Sequence, residues 1–149
     1  MMPANPDFRD LFAAFNAARV RYLLVGGYAL AFHGRPRFTR NLDIWLDPRA
    51  ENAERAYGAL EVFGAPLTEL EPRDLERPGL VFQIGVPPNR IDVLTAIDGV
   101  TLGEAWSDRQ ETRYSGQPVP VISRKHLILN KRATGRPQDL LDIAELEKS

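Results

Sequence analysis

Two aspartates stand where a sheet interior calls for apolar side chains. Asp43 lies in the run Leu42-Asp43-Ile44-Trp45-Leu46, and Asp92 lies between Ile91 and Val93-Leu94. Aspartate is depleted in strands, and an ionised carboxylate taken out of water without a partner is costly. Such a chain must turn these residues to solvent or bring each against a cation or strong donors. For one aspartate alone, solvent on the polar face of a half-covered sheet is the better reading; two in different runs shift the balance toward a shared site. Strand side chains alternate, so Asn41 and Asp43 project from one face, and a neighbouring strand can bring Asp92 to it. Three oxygen-bearing side chains then converge. That donor set suits a hard divalent ion such as Mg²⁺, which keeps several waters and adds substrate phosphates as ligands.

The pattern around these runs sets the architecture. Phe8, Leu11, Phe12 and Phe15 recur at helical spacing and predict a first helix with an apolar stripe. Residues 22–25 read as a buried strand ended by a tight turn at Gly26-Gly27, and residues 28–33 as a short helix closed by Gly34. A strand over 41–47, a helix over 51–63 ended by Gly64, and a loop with one helical turn over 65–79 follow. Strands over 80–86 and 90–95 flank Pro87-Pro88-Asn89 as a hairpin. Residues 99–106 are weakly helical, and strands over 110–114 and 117–122 flank Ser115-Gly116. Ser123 caps a helix through Arg132, and Gly135-Arg136-Pro137 breaks it before a last helix over 138–147. No repeat, low-complexity tract or linker divides the 149 residues, so the expectation is a single α/β (α+β) domain over 1–149 with a mainly antiparallel or mixed sheet.

Composition narrows the chemistry. The 19 basic and 20 acidic side chains leave a formal net charge of −1, so any polyanion must be held by a local cluster. Cysteine is absent, which excludes a disulfide framework, a thiolate zinc site and a cysteine nucleophile, and fits a reducing cytoplasm. No export signal is visible and no apolar run approaches about 18 residues, so no membrane span is expected. Gly26-Gly27 leaves backbone N–H groups open at a helix start, a feature that favours phosphate, although a plain tight turn is an equal reading of the dipeptide alone. Arg35, Arg37 and Arg40, with Arg90, either line the mouth of the site and grip RNA or nucleotide phosphates or form a solvated loop. Lys131 is four residues after Leu127, so its stem should lie along an apolar face with the ammonium reaching outward. Asp139 and Asp142 share a helix face and should fix Lys131 or Arg136 rather than bind metal. His33 and His126 lack ligand spacing and are assigned to packing or surface, and Trp45 to the site face or the core.

Taken together, Val25-Gly26-Gly27-Tyr28-Ala29-Leu30-Ala31-Phe32-His33-Gly34, Thr39-Arg40-Asn41-Leu42-Asp43 and Arg90-Ile91-Asp92-Val93-Leu94 resemble the nucleotidyltransferase superfamily typified by DNA polymerase β, in particular its small bacterial AbiEii-like and minimal members. There a Gly-Gly or Gly-Ser turn precedes a short helix, then a Ser or Thr two residues before an Asp-x-Asp pair, with a third Asp on a later strand. Lys131, Arg136 and Asp139-Leu140-Leu141-Asp142 resemble its C-terminal end, so the likeness spans roughly residues 20 to 145. It implies a polymerase-β-like fold, a mixed sheet flanked by helices, and transfer of a nucleoside monophosphate from an NTP to a hydroxyl of RNA (tRNA) or of a partner protein. Asp43 and Asp92 are the implied catalytic metal ligands for Mg²⁺ or Mn²⁺, and Gly26, Gly27, Thr39, Asn41 and Lys131 the implied nucleotide contacts. A role in a toxin–antitoxin or phage-defence pair is implied too, and the small size suggests a homodimer or a cognate partner. One departure stands out: Asn41 occupies the place of the first Asp, lowering the site from three formal negative charges to two. A catalytically degenerate nucleotide- or protein-binding module is the alternative.

Overall fold

The computed structural model describes residues 5–34, 41–86 and 88–148. The Asn5 side chain accepts hydrogen bonds from the amides of Asp7 and Phe8, and Pro6 lacks an N–H that an opening turn would leave unbonded, so helix α1 forms over Pro6–Ala17. Phe8, Leu11, Phe12 and Phe15 are all buried, as their spacing predicts, each contributing about 2 kcal/mol by leaving water. The stripe lands on Tyr22, whose ring stacks on Phe12 at 6.2 Å and meets Phe15 edge-on at 5.3 Å.

Tyr22 opens strand β1 (Tyr22–Val25), buried throughout, and helix α2 (Gly26–Phe32) follows without a loop. This corrects the expected Gly-Gly turn before a helix starting at residue 28. Gly26 has φ +69°, a left-handed value that glycine adopts freely, so the bend from strand to helix is made at the first helical residue. Strand β2 (Asn41–Leu46) leads into helix α3 (Ala50–Phe63), ended by Gly64 at φ +94°. A 3-10 turn at Pro72–Glu76 is followed by β3 (Val81–Ile84) and β4 (Arg90–Leu94). Helix α4 (Leu102–Ser107) starts later than expected because Thr101 caps it. Strands β5 (Gln110–Tyr114) and β6 (Gln117–Val121) and helices α5 (Arg124–Thr134) and α6 (Pro137–Lys148) complete the chain, with Ser123 capping α5 as predicted.

The strands form one mixed sheet in the order β3-β4-β2-β1-β6-β5, with β2 parallel to β4 and β1 parallel to β6. Both expected hairpins are present and antiparallel. Pairing with β1 puts Leu42, Ile44 and Leu46 on the face of Tyr22 and Leu24, the side that α1 covers, so Asn41, Asp43 and Trp45 point to the other. Trp45 is 2% exposed and belongs to the core. Helix α2 packs on β1 and β2 and touches α5, and α5 packs on α6. Among the described residues no helix is long and apolar enough to cross a membrane.

Candidate functional site

Strand register places the two carboxylates. In the parallel pair of β2 and β4, Asp43 is the partner of Asp92 and Asn41 of Arg90, so all four side chains share one face, as alternation predicts. On its other side Asp43 pairs with Val25, the last residue of β1, which brings Gly26 directly against it. A Cβ added to Gly26 would sit 2.2 Å from Asp43 Oδ2. Gly26 is therefore required twice, for its φ and for the space that the carboxylate occupies.

The face is closed by hydrogen bonds. Asn41 Nδ2 donates to Asp43 Oδ1 at 3.0 Å and to Asp92 Oδ2 at 3.4 Å. Arg90 forks onto Asp92, donating from Nε to Oδ1 at 3.1 Å and from Nη2 to Oδ2 at 3.0 Å. Sequence reasoning expected an Asn41 oxygen in the site and Arg90 at its mouth. Instead two adjacent carboxylates recruit the nearest N–H donors, and the amide turns its nitrogen inward. Arg90 is the residue that pattern reading underestimated; its position two residues before Asp92, on the same strand face, was the available signal. Burial first, and then the charge of Asp92, push the Asp43 carboxyl up to about 7, against the opposing pull of the Asn41 hydrogen bond and of Arg90.

This donor set fits one hard divalent ion. Two carboxylates and, after a half-turn of its amide, the Asn41 oxygen would present oxygens from adjacent strands, and a cation would relieve the repulsion that raises Asp43. Each Asp92 oxygen keeps a lone pair beside its Arg90 bond, but two formal negative charges balance one divalent ion and not two. Among the described residues no group of three or more His, Cys, Asp or Glu converges on a point, since the third side chain of this face is the amide of Asn41.

The remaining expected residues divide. Gly27 follows Gly26 in the first turn of α2. Thr39, Arg35, Arg37 and Arg40 lie outside the described residues. Lys131 does not reach outward as expected. It is 6% exposed, and its Nζ is 2.9 Å from Asp142 and 3.6 Å from Asp139, because two buried carboxylates on α6 offer a stronger partner than water. Asp139 in turn accepts a fork from Arg136 at 2.7 and 3.0 Å and a bond from Thr134 Oγ1 at 2.7 Å. The Arg136 guanidinium holds its carboxyl far below the usual carboxylate range. These acids fix Lys131 and Arg136, as the sequence predicts. His33 is packed, donating from Nε2 to the Ile122 carbonyl at 2.8 Å, and His126 Nδ1 lies 3.0 Å from Ser123 Oγ.

No family model matches the sequence, and no curated protein matches it. Solved structures do. The lincosamide antibiotic adenylyltransferase LnuA, in its lincomycin-bound crystal structure, aligns with a TM-score of 0.60 at 18% identity over 98% of this chain and 98% of its own. The antibiotic-resistance factor ANT(2'')-Ia in solution gives 0.60 at 16% identity over 94% and 80%. A candidate nucleotidyltransferase from Thermotoga maritima gives 0.59 at 14% identity over 98% and 90%. The shared fold, a mixed sheet flanked by helices, is the nucleotidyltransferase fold.

Proposed function

We propose that this chain uses that fold to transfer a nucleoside monophosphate from an NTP to a hydroxyl, at the junction of β1, β2 and β4. The carrying observation is the in-register pairing of Asp43 with Asp92 against the bare Cα of Gly26. Asp43 and Asp92 would hold one Mg²⁺ or Mn²⁺, with Asn41 assisting. Such an ion, when bound, supplies charge stabilisation to the reacting phosphates. Gly26 and Gly27 would contact a phosphate at the start of α2, and Arg90 holds the Asp92 carboxylate on the site face. In the transfer the acceptor oxygen bonds to the α-phosphorus and the α–β anhydride bond breaks, releasing pyrophosphate and the hydroxyl proton. Thr39 stands as a further phosphate contact. Lys131 would reach a triphosphate only by opening its pair with Asp142.

The acceptor class rests on function rather than geometry. A tRNA or partner-protein hydroxyl follows from the AbiEii-like resemblance, together with a toxin–antitoxin or phage-defence setting and a cytoplasmic location. A small-molecule hydroxyl follows from LnuA bound to lincomycin and from ANT(2'')-Ia in complex with adenylyl-2''-tobramycin. A second reading has its own support: Arg90 forks onto Asp92 and Asn41 bonds to both carboxylates, so side chains of the chain itself occupy the place of a metal, as expected of a nucleotide- or protein-binding module that has lost its chemistry.

One experiment separates them. The protein is incubated with each α-labelled NTP and Mg²⁺ or Mn²⁺, and label is followed into tRNA, lysate protein, lincomycin or tobramycin. Metal-dependent transfer that is lost in both Asp43→Ala and Asp92→Ala establishes the enzyme and names its acceptor. Calorimetric NTP binding with no pyrophosphate released establishes the module. Transfer unchanged in both variants removes Asp43 and Asp92 from the chemistry.

A further inference from the structure

At the opposite end of β1 from Asp43 lies a second cleft, of about 840 Å³, which the transfer chemistry does not use. Its floor includes Tyr22, paired with Leu46, whereas Asp43 pairs with Val25; the two places are separated by roughly 10 Å of strand. Five arginines enter it from separate segments: Arg19 and Arg21 ahead of β1, Arg49 and Arg55 around the start of α3, and Arg109 after α4. Three carboxylates oppose them, Glu51 and Glu111 in the walls and Asp47 behind Arg21 and Arg49. The cleft therefore carries an excess of positive charge on a chain whose formal net charge is −1.

Only part of this positive charge is neutralised within the chain. Asp47 is 4% exposed and accepts from the Arg49 backbone N–H at 3.1 Å and from Arg49 Nε at 3.0 Å, with Arg21 Nε at 3.7 Å. One carboxylate shared by two guanidiniums orients both and leaves donors of each for a ligand. The guanidiniums of Arg109 and Arg21 lie over the Trp106 ring, 4.0 and 4.6 Å from its centroid, and Arg109 Nη1 donates to the Trp106 carbonyl at 2.8 Å, which leaves its other N–H groups for a ligand. Arg19, Arg55 and Arg109 form no ion pair among the described residues. Arg19 adopts φ +57° just after the C-cap of α1, where glycine is the usual residue. Keeping a side chain in that conformation costs about 1–2 kcal/mol, and it puts a guanidinium on the rim of the cleft.

We propose that this cleft binds a phosphorylated ligand of nucleotide size, supplied either as a free nucleotide or as the 5′-phosphate end of an RNA strand. Guanidinium forks match phosphate oxygens through paired N–H···O bonds. A phosphomonoester carries a charge of about −1.5 to −2 near neutrality, which complements the positive excess. The volume is within the range of roughly 300–1,000 Å³ typical of small-ligand sites. This site goes beyond the transfer reading and does not depend on it.

The test uses the full chain in EDTA, which keeps the Asp43 and Asp92 site free of divalent ions. Of the two tryptophans, Trp45 is buried in the core, so binding changes in intrinsic fluorescence report on Trp106. ATP, a short 5′-phosphorylated RNA and the same RNA with a 5′-hydroxyl are titrated at several salt concentrations. A saturable signal for a phosphorylated probe is expected, unchanged in Asp43→Ala and weakening linearly in log Kd against log salt. Arg19→Gly removes a guanidinium and relieves the backbone, so it folds while affinity falls by about tenfold, and Arg55→Gln with Arg109→Gln lowers it further. ATP binding alone assigns the free nucleotide; binding of the 5′-phosphorylated RNA alone assigns the strand end. The proposal is overturned if no phosphorylated probe binds, if only 5′-phosphate-independent RNA binding is seen, or if Arg19→Gly and the Arg55→Gln, Arg109→Gln pair both bind like the parent. Since Asp43→Ala spares the cleft, a failure here and a failure of the transfer reading are seen in different variants.

Discussion

Replacing Asn41 by aspartate introduces the acid that the resemblance to nucleotidyltransferases implies at this position, and its cost can be worked from the structure. The amide donates to Asp43 at 3.0 Å and to Asp92 at 3.4 Å. Asn41→Asp removes both bonds, and a hydrogen bond to a charged group contributes about 1.5–3 kcal/mol. It also adds a negative charge between two others. At about 4 Å and an effective dielectric of ~20, a unit pair repels by about 4 kcal/mol, an upper bound that side-chain rotation and partial exposure reduce. A net loss of about 3 kcal/mol in EDTA is expected, above the value near 7 at which Asp43 titrates. With a urea m-value of about 1.5 kcal/mol/M, that moves the unfolding midpoint down by about 2 M. Magnesium should reverse much of it, since an ion at 100 times its Kd stabilises the folded state by about 2.7 kcal/mol. The assay is urea unfolding of parent and Asn41→Asp, each in EDTA and in excess MgCl₂. A variant as stable as the parent in EDTA, or one that gains no more from Mg²⁺ than the parent, would refute the idea that these three side chains form one electrostatic unit.

Other outcomes follow from the same geometry. Gly26→Ala forces φ +69° on a side-chain-bearing residue and drives Cβ into Asp43 Oδ2, so unfolding experiments should show a loss of at least about 2 kcal/mol, with weakened metal binding by calorimetry. Because the folded Asp43 carboxyl is raised to about 7 from 3.8, the native state binds the extra proton in that window, and stability should fall as pH rises through it and level off above. Asp43→Asn should lose most of that slope; an unchanged slope in urea midpoints against pH would locate the titration elsewhere. Lys131→Ala leaves Asp142 and Asp139 facing an empty buried position, a loss of about 3–5 kcal/mol, whereas Lys131→Met with Asp142→Leu should recover much of it in the same measurement.

Both ends of β1 gather arginine and carboxylate side chains, in different arrangements. At the Val25 end, Asp43 and Asp92 face each other and, among the described residues, Arg90 forks onto Asp92. At the Tyr22 end, guanidiniums outnumber the acids and Asp47 serves two of them. A net charge near zero thus conceals an uneven distribution, with guanidiniums gathered at the Tyr22 end.

The local elements were legible because their determinants are local. Phe8, Leu11, Phe12 and Phe15 carry a helical period, Ser123 and Gly64 sit at the helix ends they mark, and the β5–β6 hairpin turns at Ser115-Gly116. The shared face of Asn41 and Asp43 followed from alternation, and the apolar neighbours of Asp43 and Asp92 announced that both needed partners. Which partners they found was decided only in three dimensions. Neither the register that sets Asp43 beside Asp92 nor the closeness of Gly26 is written in spacing, since parallel β2 and β4 are joined through a long crossover. The same holds for Lys131, whose ammonium meets Asp142 only when α5 lies on α6, and for the arginine cleft, assembled from segments far apart in the chain. Charge pairing acts over a few ångströms of space regardless of sequence distance, so a sequence can reveal that a charge must be answered while the packed fold alone determines what answers it.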